Sequence, residues 1–466
     1  MVPKIFAALI LTVLAVAGPG RARAALESQV ADNVFVVPDP KAKVVTLWMI
    51  VHAGCRDEVD GECRGLSHYL EHLMFLGRDG AHDQNNALFF AAGQTNAFTS
   101  MMATSYYQSV PAQPASIEPD LAKLFDLFSD RLKAINPPPE AASRERNVVL
   151  QEFNFRRSDS FRVRFNNQVN ARLLPNHPYG EPVIGSREDI AGYTVEAAKA
   201  FHKLWYAKNN ATFVVYGPVE PDMVKKLADK YLGPLPEKTI PSRDWLDARR
   251  TFAPMDGLAK ESDGDIVSPE VQFEKIVRFE DPFPRQSDAA KAILFDYLNS
   301  EITGSLSDVL VEGGHLCSRI DADRSSLGPG AMWFTTHGTL EDGVAPEIVK
   351  KAIAGYYAGL AERGVDGKVV ERLKKRALRG VAEIGKDPKR TLTSLTNWFG
   401  DNRAYADWRT RADAIDAVTP ESLTTLLRAM AEPGRELFGI MSPAQKSAAA
   451  DAPPPPAKIA ADKAAP

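Results

Sequence analysis

A chain of 466 residues is long enough for two or more domains, each with its own hydrophobic core. Hydrophobic residues make up 44% and charged residues 25%, which is ordinary for a soluble globular protein. The formal net charge is −4 with no basic block, so the composition argues against nucleic acid or an anionic membrane surface as a partner.

The N-terminal residues 1–24 have the pattern of a secretory signal peptide. Lys4 precedes the apolar stretch IFAALILTVLAVAG, and Ala22 and Ala24 provide small residues at the spacing of a cleavage site. The apolar stretch is shorter than the roughly 20 residues that cross a bilayer, so a cleaved signal is favoured over a membrane anchor. We therefore expect a mature chain from about Ala25, exported to a bacterial periplasm and without a stable membrane anchor.

Strand and helix patterns follow one another in the first part of the mature chain. Residues 44–51, VVTLWMIV, form a continuous apolar run that is typical of a strand covered on both faces. Residues 211–217, ATFVVYG, are rich in β-branched and aromatic side chains, and a helical pattern follows them. This part, residues 25–235, is predicted to be one α+β domain.

A similar order of patterns returns after a break. Residues 236–268 are rich in proline, glycine and charge without a sustained period, and they are predicted to be a linker. Residues 269–445 again give strands and helices, which suggests a second, related α+β domain of about 200 residues. Residues 446–466 form an alanine- and proline-rich tail that is predicted to be disordered.

Three cysteines are present. Cys55 and Cys63 flank a short polar segment, and in an oxidising compartment a local disulfide between them is reasonable. Two free buried thiols are the alternative. Cys317 is predicted to be an unpaired core residue.

The stretch GLSHYLEHLMFLG, residues 65–77, places two histidines and a glutamate in an apolar run. Residues three or four apart share a helix face, so His68, Glu71 and His72 project together, opposite an apolar stripe. Two imidazoles one turn apart can bind a single zinc ion. Glu71 would lie beside the metal, placed to accept a proton from a water molecule. The alternative is a polar helix face with two incidental histidines.

A catalytic zinc usually has three protein ligands, and the other histidines form no further one-turn pair. A carboxylate is therefore the expected third ligand. The helical pattern ASRERNVVLQEFNF carries Glu145 and Glu152 two turns apart on one face. One could bind the metal while the other contacts a histidine ligand. Spacing alone does not rank the two, and a solvated helix face is the default alternative.

The inverted motif from His68 to His72, extended by Phe75 and Gly77, resembles the pitrilysin/insulysin family of zinc peptidases. The segment RERNVVLQE resembles that family's downstream element, whose last glutamate is the third ligand. The resemblance therefore implies Glu152 as the ligand and Glu145 as the glutamate behind a histidine. It extends from about residue 34 to residue 443.

The segment GQTNAFTS resembles the strand with which the family binds the substrate backbone. This implies Asn96, Ala97 and Phe98 as substrate-binding residues through added-strand hydrogen bonds. An ordinary edge strand, with Asn96 capping a turn, is the alternative.

The resemblance implies a pair of α+β domains, each a mixed sheet with helices on one face. It also implies an exported zinc metalloendopeptidase that hydrolyses peptides or unfolded segments with metal-activated water, Glu71 acting as general base. A non-catalytic peptide-binding or scaffold subunit is the first alternative, although such members would be expected to lack ligands or the base. A structural zinc protein is the second alternative, and it would need a fourth ligand.

The family closes its chamber with a second pair of domains that supplies an Arg…Tyr pair. Here residues 313–334 offer Arg319 and Arg324 but no tyrosine. We therefore expect a partner of similar length, which is either a motif-less homologue or a second copy of this chain.

Overall fold

The computed structural model describes residues 26–58, 64–76, 94–159, 161–243, 253–264, 266–278, 287–327 and 331–444. Within them, eleven strands form two mixed sheets. The first sheet contains β1 (Ser28–Ala31), β2 (Val34–Pro38), β3 (Val44–Val51), β4 (Thr95–Thr99), β5 (Thr104–Pro111) and β6 (Ala211–Gly217). The second contains β7 (Met255–Asp263), β8 (Glu270–Arg278), β9 (Cys317–Ser326), β10 (Ala331–Leu340) and β11 (Arg435–Pro443).

Helices surround both sheets. Those of the first domain are α1 (Leu66–Met74), α2 (Ile117–Lys133), α3 (Pro139–Asp159), α4 (Phe161–Leu173), α5 (Arg187–Gly192), α6 (Val195–Trp205) and α7 (Pro221–Tyr231). Those of the second domain are α8 (Ser287–Leu298), α9 (Pro346–Arg363), α10 (Gly367–Ile384), α11 (Pro388–Gly400), α12 (Tyr405–Arg409), α13 (Arg411–Asp416) and α14 (Pro420–Ala431).

The two sheets repeat one topology. The first has the order β1-β2-β6-β3-β5-β4 and the second the order β7-β11-β8-β10-β9. In each sheet one pair is parallel, β2 with β6 and β7 with β11, while the neighbouring pairs are antiparallel. Two related α+β domains were predicted from the repeated patterns, and this fold class is confirmed.

Strand β7 corrects the predicted linker. Residues 255–263 lie inside the segment 236–268, yet they pair along their whole length with β11. The second domain therefore begins before residue 269. Among the described strands, β7 lies at the edge of its sheet and pairs with β11 alone. Alternate side chains of β7 are exposed, including Leu258 and Lys260. Its sequence consequently lacks the apolar run that marked β3.

Each sheet is covered on both faces, which refines the predicted arrangement of helices on one face. Alternate residues of β2 divide between two cores: Val34 and Val36 pack with the first domain's own helices, whereas Phe35 and Val37 pack with residues of α11 and α12. In return, α4 of the first domain packs on β7 and β11 of the second. The approach is so close that a Cβ at Gly439 would lie 2.5 Å from the ring of Phe165. Each domain thus provides helices that cover one face of the other domain's sheet.

Several predicted features lie outside the described residues: the signal peptide 1–24, Cys63, Gly77 and the tail 446–466. Among the helices that the structure describes, none combines the length and the hydropathy needed to cross a bilayer.

Candidate metal centre

Helix α1 lies between the first sheet and helices α3 and α6. Its predicted apolar stripe is buried, as expected for a helix that packs on a sheet: Leu66, Tyr69, Leu70, Leu73 and Met74. The polar face is also largely enclosed, because His68 is only 6% and Glu71 only 7% exposed. A solvated helix face with incidental histidines does not describe this environment, since burying such groups is costly unless partners surround them.

Helix α3 passes alongside α1 and carries both candidate glutamates. The phenol of Tyr69 on α1 donates a hydrogen bond of 2.8 Å to the carbonyl oxygen of Ala142 on α3. This bond joins the two helices one turn before Glu145. The side chains that were predicted to cooperate, from two segments about 80 residues apart in sequence, are thereby brought to one place.

Three side chains converge on a common point. The Oε2 atom of Glu152 lies 3.6 Å from His68 Nε2 and 3.5 Å from His72 Nε2. Two ligands bound tetrahedrally to zinc at 2.0–2.1 Å are about 3.4 Å apart. The ligand atoms of all three residues lie within 4.8 Å of one another. The donor set of two imidazoles and one carboxylate therefore fits a zinc ion in both chemistry and spacing.

Glu145 contacts the other side of one histidine. Its Oε2 atom lies 3.3 Å from His72 Nδ1. A carboxylate at Nδ1 orients the imidazole so that Nε2 is directed at the common point. Burial lowers the pKa of His72, but contacts with Glu152, Glu71 and Glu145 outweigh burial and raise the pKa above its ordinary value. This pocket thus favours positive charge, whether a proton or a metal ion.

Glu71 lies on the same turn as His72, and its carboxylate has a partner on the first sheet. Thr99, at the end of β4, donates a hydrogen bond of 2.6 Å from Oγ1 to Glu71 Oε2. This hydrogen bond restrains the orientation of the Glu71 carboxylate. It also connects the predicted base directly to the predicted substrate-binding strand.

Strand β4 forms one end of the first sheet and pairs with β5 alone among the described strands. Ala97 faces the core beneath α1, while Asn96 and Phe98 are exposed on the other face, Phe98 to 45%. The Asn96 side chain accepts a hydrogen bond of 2.9 Å from the Ala97 N–H. The strand is thus an edge among the described strands, and the Asn96 carboxamide oxygen accepts a hydrogen bond from one of its backbone N–H groups.

Sequence reasoning missed three residues that support this centre: Thr99, Tyr69 as a hydrogen-bond donor, and Glu58. Glu58 accepts hydrogen bonds from the backbone that begins α1. Burial raises the pKa of Glu58 to about 7, although those hydrogen bonds act in the opposite direction. Thr99 lies in the segment GQTNAFTS, but no periodicity relates it to Glu71, so only the fold brings them together.

The cysteines divide into two cases. Cys317 is buried in the second core and is a free thiol, as predicted. Cys55 is buried at the start of a short 3₁₀ helix, Cys55–Asp57, beside Val183. Its pairing with Cys63 stays a prediction.

Comparison with protein-family models gives two matches within one family. The model of the insulinase family, peptidase family M16, matches residues 33–187, and the model of the M16 inactive domain matches residues 192–377. The chain belongs to the insulinase (M16) peptidase family, and the resemblance predicted from the inverted motif is confirmed.

Its relatives include proteins named as zinc proteases. The chain is 31% identical over 222 residues to the zinc protease PqqE of Helicobacter pylori, covering 45% of this chain and 47% of that protein. It is 30% identical over 199 residues to the β subunit of the mitochondrial-processing peptidase of Neurospora crassa, covering 42% and 40%. These matches therefore span less than half of each relative's own length.

Solved structures show the same fold. A protease from Helicobacter pylori aligns with a TM-score of 0.70 at 21% identity, covering 90% of this chain and all of that chain. The periplasmic protease PqqL from Escherichia coli also gives 0.70 at 19% identity, covering 88% of this chain but 46% of that one. Pitrilysin gives 0.68 at 21% identity, covering 88% and 43%.

Proposed function

We propose that this protein is an exported zinc metalloendopeptidase that hydrolyses peptides or unfolded segments. One observation carries the proposal: Nε2 of both motif histidines and the Glu152 carboxylate converge on one point, with Glu71 on the same helix turn. Membership of a peptidase family and relatives named as zinc proteases support it.

His68, His72 and Glu152 would hold the zinc ion, and Glu145 would orient His72. When bound there, zinc supplies Lewis-acid chemistry, which makes a water molecule acidic near neutral pH and polarises a carbonyl group. Glu71 accepts the proton of the attacking water and returns it to the amine that leaves. Thr99 keeps the Glu71 carboxylate in one orientation while this happens.

Strand β4 would bind the substrate as an added strand. Backbone hydrogen bonds hold a peptide with little dependence on its side chains, as a peptidase for varied substrates requires. The Ala97 N–H is one such donor, so the Asn96 carboxamide must release it when the peptide arrives. Exposed Phe98 offers an apolar surface beside the bound backbone.

The alternatives make different demands on the same residues. A scaffold subunit would need neither a base nor its hydrogen bond from Thr99. A structural zinc site would need a fourth ligand, and among the described residues no other His, Cys, Asp or Glu completes the group of His68, His72 and Glu152. The complete motif therefore favours the enzyme.

The decisive variant is Glu71→Gln. It should keep zinc binding and folding but lower kcat by about 10²–10⁴-fold, because a general base contributes that much. Zinc content, melting temperature and cleavage of a fluorogenic peptide library measure the three effects. Asp296→Asn is a matched control, since Asp296 lies on α8, the counterpart of α1, and pairs with Arg376 on α10 instead of a ligand. Unchanged kcat in Glu71→Gln would contradict the proposal, and parallel loss of zinc would contradict the role of Glu71.

We also propose that activity requires a partner of similar length, a motif-less homologue or a second copy. The family resemblance implies an Arg…Tyr pair from a second pair of domains, and the two arginines of residues 313–334 are engaged elsewhere. Arg319 donates to Asp321, and the Arg324 guanidinium lies over the ring of Phe295. Without such a donor, the transition state is less stabilised and kcat should be lower by about 10²–10³-fold.

Size measurement of the purified chain, pull-down from its host and activity assays across a concentration series test this requirement. We expect specific activity to rise as the assembly forms. Full activity in a strict monomer would refute it. Export to the periplasm, proposed from residues 1–24, is tested by fractionation of the host and N-terminal sequencing of the mature chain.

A further inference from the structure

Glu58 lies just after the 3₁₀ helix Cys55–Asp57 and points at the beginning of α1. It is buried, with 5% of its surface exposed. Its Oε1 atom accepts hydrogen bonds from the Ser67 backbone N–H at 2.8 Å and from the Ser67 hydroxyl at 2.7 Å. Its Oε2 atom accepts a third, of 2.8 Å, from the Arg64 N–H. One carboxylate thus binds the backbone on both sides of Gly65.

The beginning of α1 needs such an acceptor. The first N–H groups of any helix have no partner within the helix. Gly65, the N-cap residue, has no side chain with which to accept them. Leu66, Ser67 and His68 are buried, so water has little access to this turn. A carboxylate satisfies the donors and also interacts favourably with the positive end of the helix dipole.

A second contact holds the opposite side of the same turn. The Tyr193 hydroxyl hydrogen-bonds to the carbonyl oxygens of Arg64 at 2.7 Å and of Ile184 at 3.0 Å. Gly65 has φ +79°, and a Cβ there would lie 2.3 Å from both Ile184 O and Tyr193 Oη. The turn therefore has little freedom to shift in either direction.

We propose that Glu58 is a positioning residue for the metal centre; this inference rests on the metal site proposed above. Ser67 directly precedes His68. The carboxylate that binds Ser67 therefore fixes the rotation of α1 about its axis and its position along that axis. That placement sets where His68 Nε2 and His72 Nε2 lie relative to Glu152 on α3. The Tyr69–Ala142 bond then joins α1 to α3 beyond the clamped turn. Glu58 acts through the helix and touches neither ligand.

Glu58→Gln tests this role, because its amide group would place N–H donors against the backbone N–H groups of Arg64 or Ser67. We expect the dissociation constant for Co²⁺, a spectroscopic substitute for zinc, to rise by about 10–100-fold, as for other residues that support metal ligands. The visible Co²⁺ spectrum should change, and the amides of Leu66 and Ser67 should exchange hydrogen faster.

Glu274→Gln is the matched control. Glu274 is likewise a buried carboxylate, but it lies on β8 of the second sheet and accepts hydrogen bonds from Gln272 and Trp333. It should alter thermal stability without altering Co²⁺ affinity, the Co²⁺ spectrum or exchange in α1. Ser67→Ala removes only the hydroxyl donor and should raise the dissociation constant less, by about 2–10-fold. It provides the test if Glu58→Gln does not fold.

Unchanged Co²⁺ affinity and spectrum in folded Glu58→Gln, or in Ser67→Ala, would overturn the role of Glu58 and leave the metal site intact. Equal changes in Glu274→Gln would also overturn it, because the effect would then be one of general stability. Failure of the wild-type chain to bind Co²⁺ would instead refute the metal site itself.

Discussion

The two domains share one topology but differ in what their helices present. In the first domain, α1 follows β3 and α3 follows α2; in the second, α8 follows β8 and α10 follows α9. Among the described residues, only α1 and α3 of the first domain bring together a group of side chains that could bind a metal ion. The apolar patterns that build the sheets and cores are therefore independent of the few polar side chains that form this group.

Helix α10 of the second domain differs from α3 in the charges of its side chains. Where α3 offers Glu145 and Glu152, α10 exposes Lys368, Arg372, Lys375 and Arg379 along one face, and its Glu371 pairs with Lys374. Cations on that face would repel a divalent ion. The comparison predicts that metal binding belongs to the first domain alone.

The largest effects should come from removing the ligands. His68→Ala, His72→Ala and Glu152→Ala should each lose the metal, because two remaining ligands cannot hold zinc tightly. Glu145→Ala should retain it and lose only about 10–100-fold in affinity or rate. Metal analysis of the four purified variants measures the difference. If Glu145→Ala lost the metal and Glu152→Ala kept it, the roles assigned to the two glutamates would have to be exchanged.

The sequence predicted the fold class and the two segments whose side chains lie close together in the structure, because both depend on local periodicity. The 3.6-residue repeat placed His68, Glu71 and His72 together, and apolar runs located β3 and β6. Helical spacing alone did not separate Glu145 from Glu152, since both share a helix face and only the position of α1 distinguishes them. The sequence patterns missed β7 because an edge strand has little apolar surface to bury.

A smaller effect is expected at Thr99, which links the proposed substrate-binding strand to Glu71, the proposed base. Thr99→Val keeps the shape of the side chain but removes the donor to Glu71. We expect kcat to fall by about tenfold, the scale of a hydrogen bond to a charged group, with zinc content unchanged. Thr99→Ser retains a hydroxyl and should recover most of the rate. Equal losses in the valine and serine variants would assign the effect to packing of β4 instead.

The smallest effect concerns the buried carboxylate of each domain. Burial raises the pKa of Glu274 to about 7, opposed by hydrogen bonds from Gln272 and Trp333. In the unfolded chain the pKa is about 4.5. Between these values the folded protein retains a proton that the unfolded chain has released, so this residue makes stability fall as pH rises from about 4.5 to about 7.

Glu274→Gln should remove that dependence without leaving a polar group unsatisfied. The new carboxamide oxygen can accept from Trp333 Nε1. The side-chain amides of Gln272 and Asn166, which are hydrogen-bonded to each other, can both turn over to pair with its NH₂ group. The melting temperature of the variant relative to wild type should therefore increase between pH 5 and pH 8, by about 2–4 °C for each kcal/mol of penalty removed. In Glu58→Gln the backbone donors of α1 cannot rotate, so that variant should be less stable at every pH. If the melting temperatures of wild type and Glu274→Gln change in parallel with pH, Glu274 does not titrate in this range. If Glu58→Gln and Glu274→Gln show the same pH dependence, the proposed difference between the two buried carboxylates, one bound to a helix terminus and one within a sheet, is wrong.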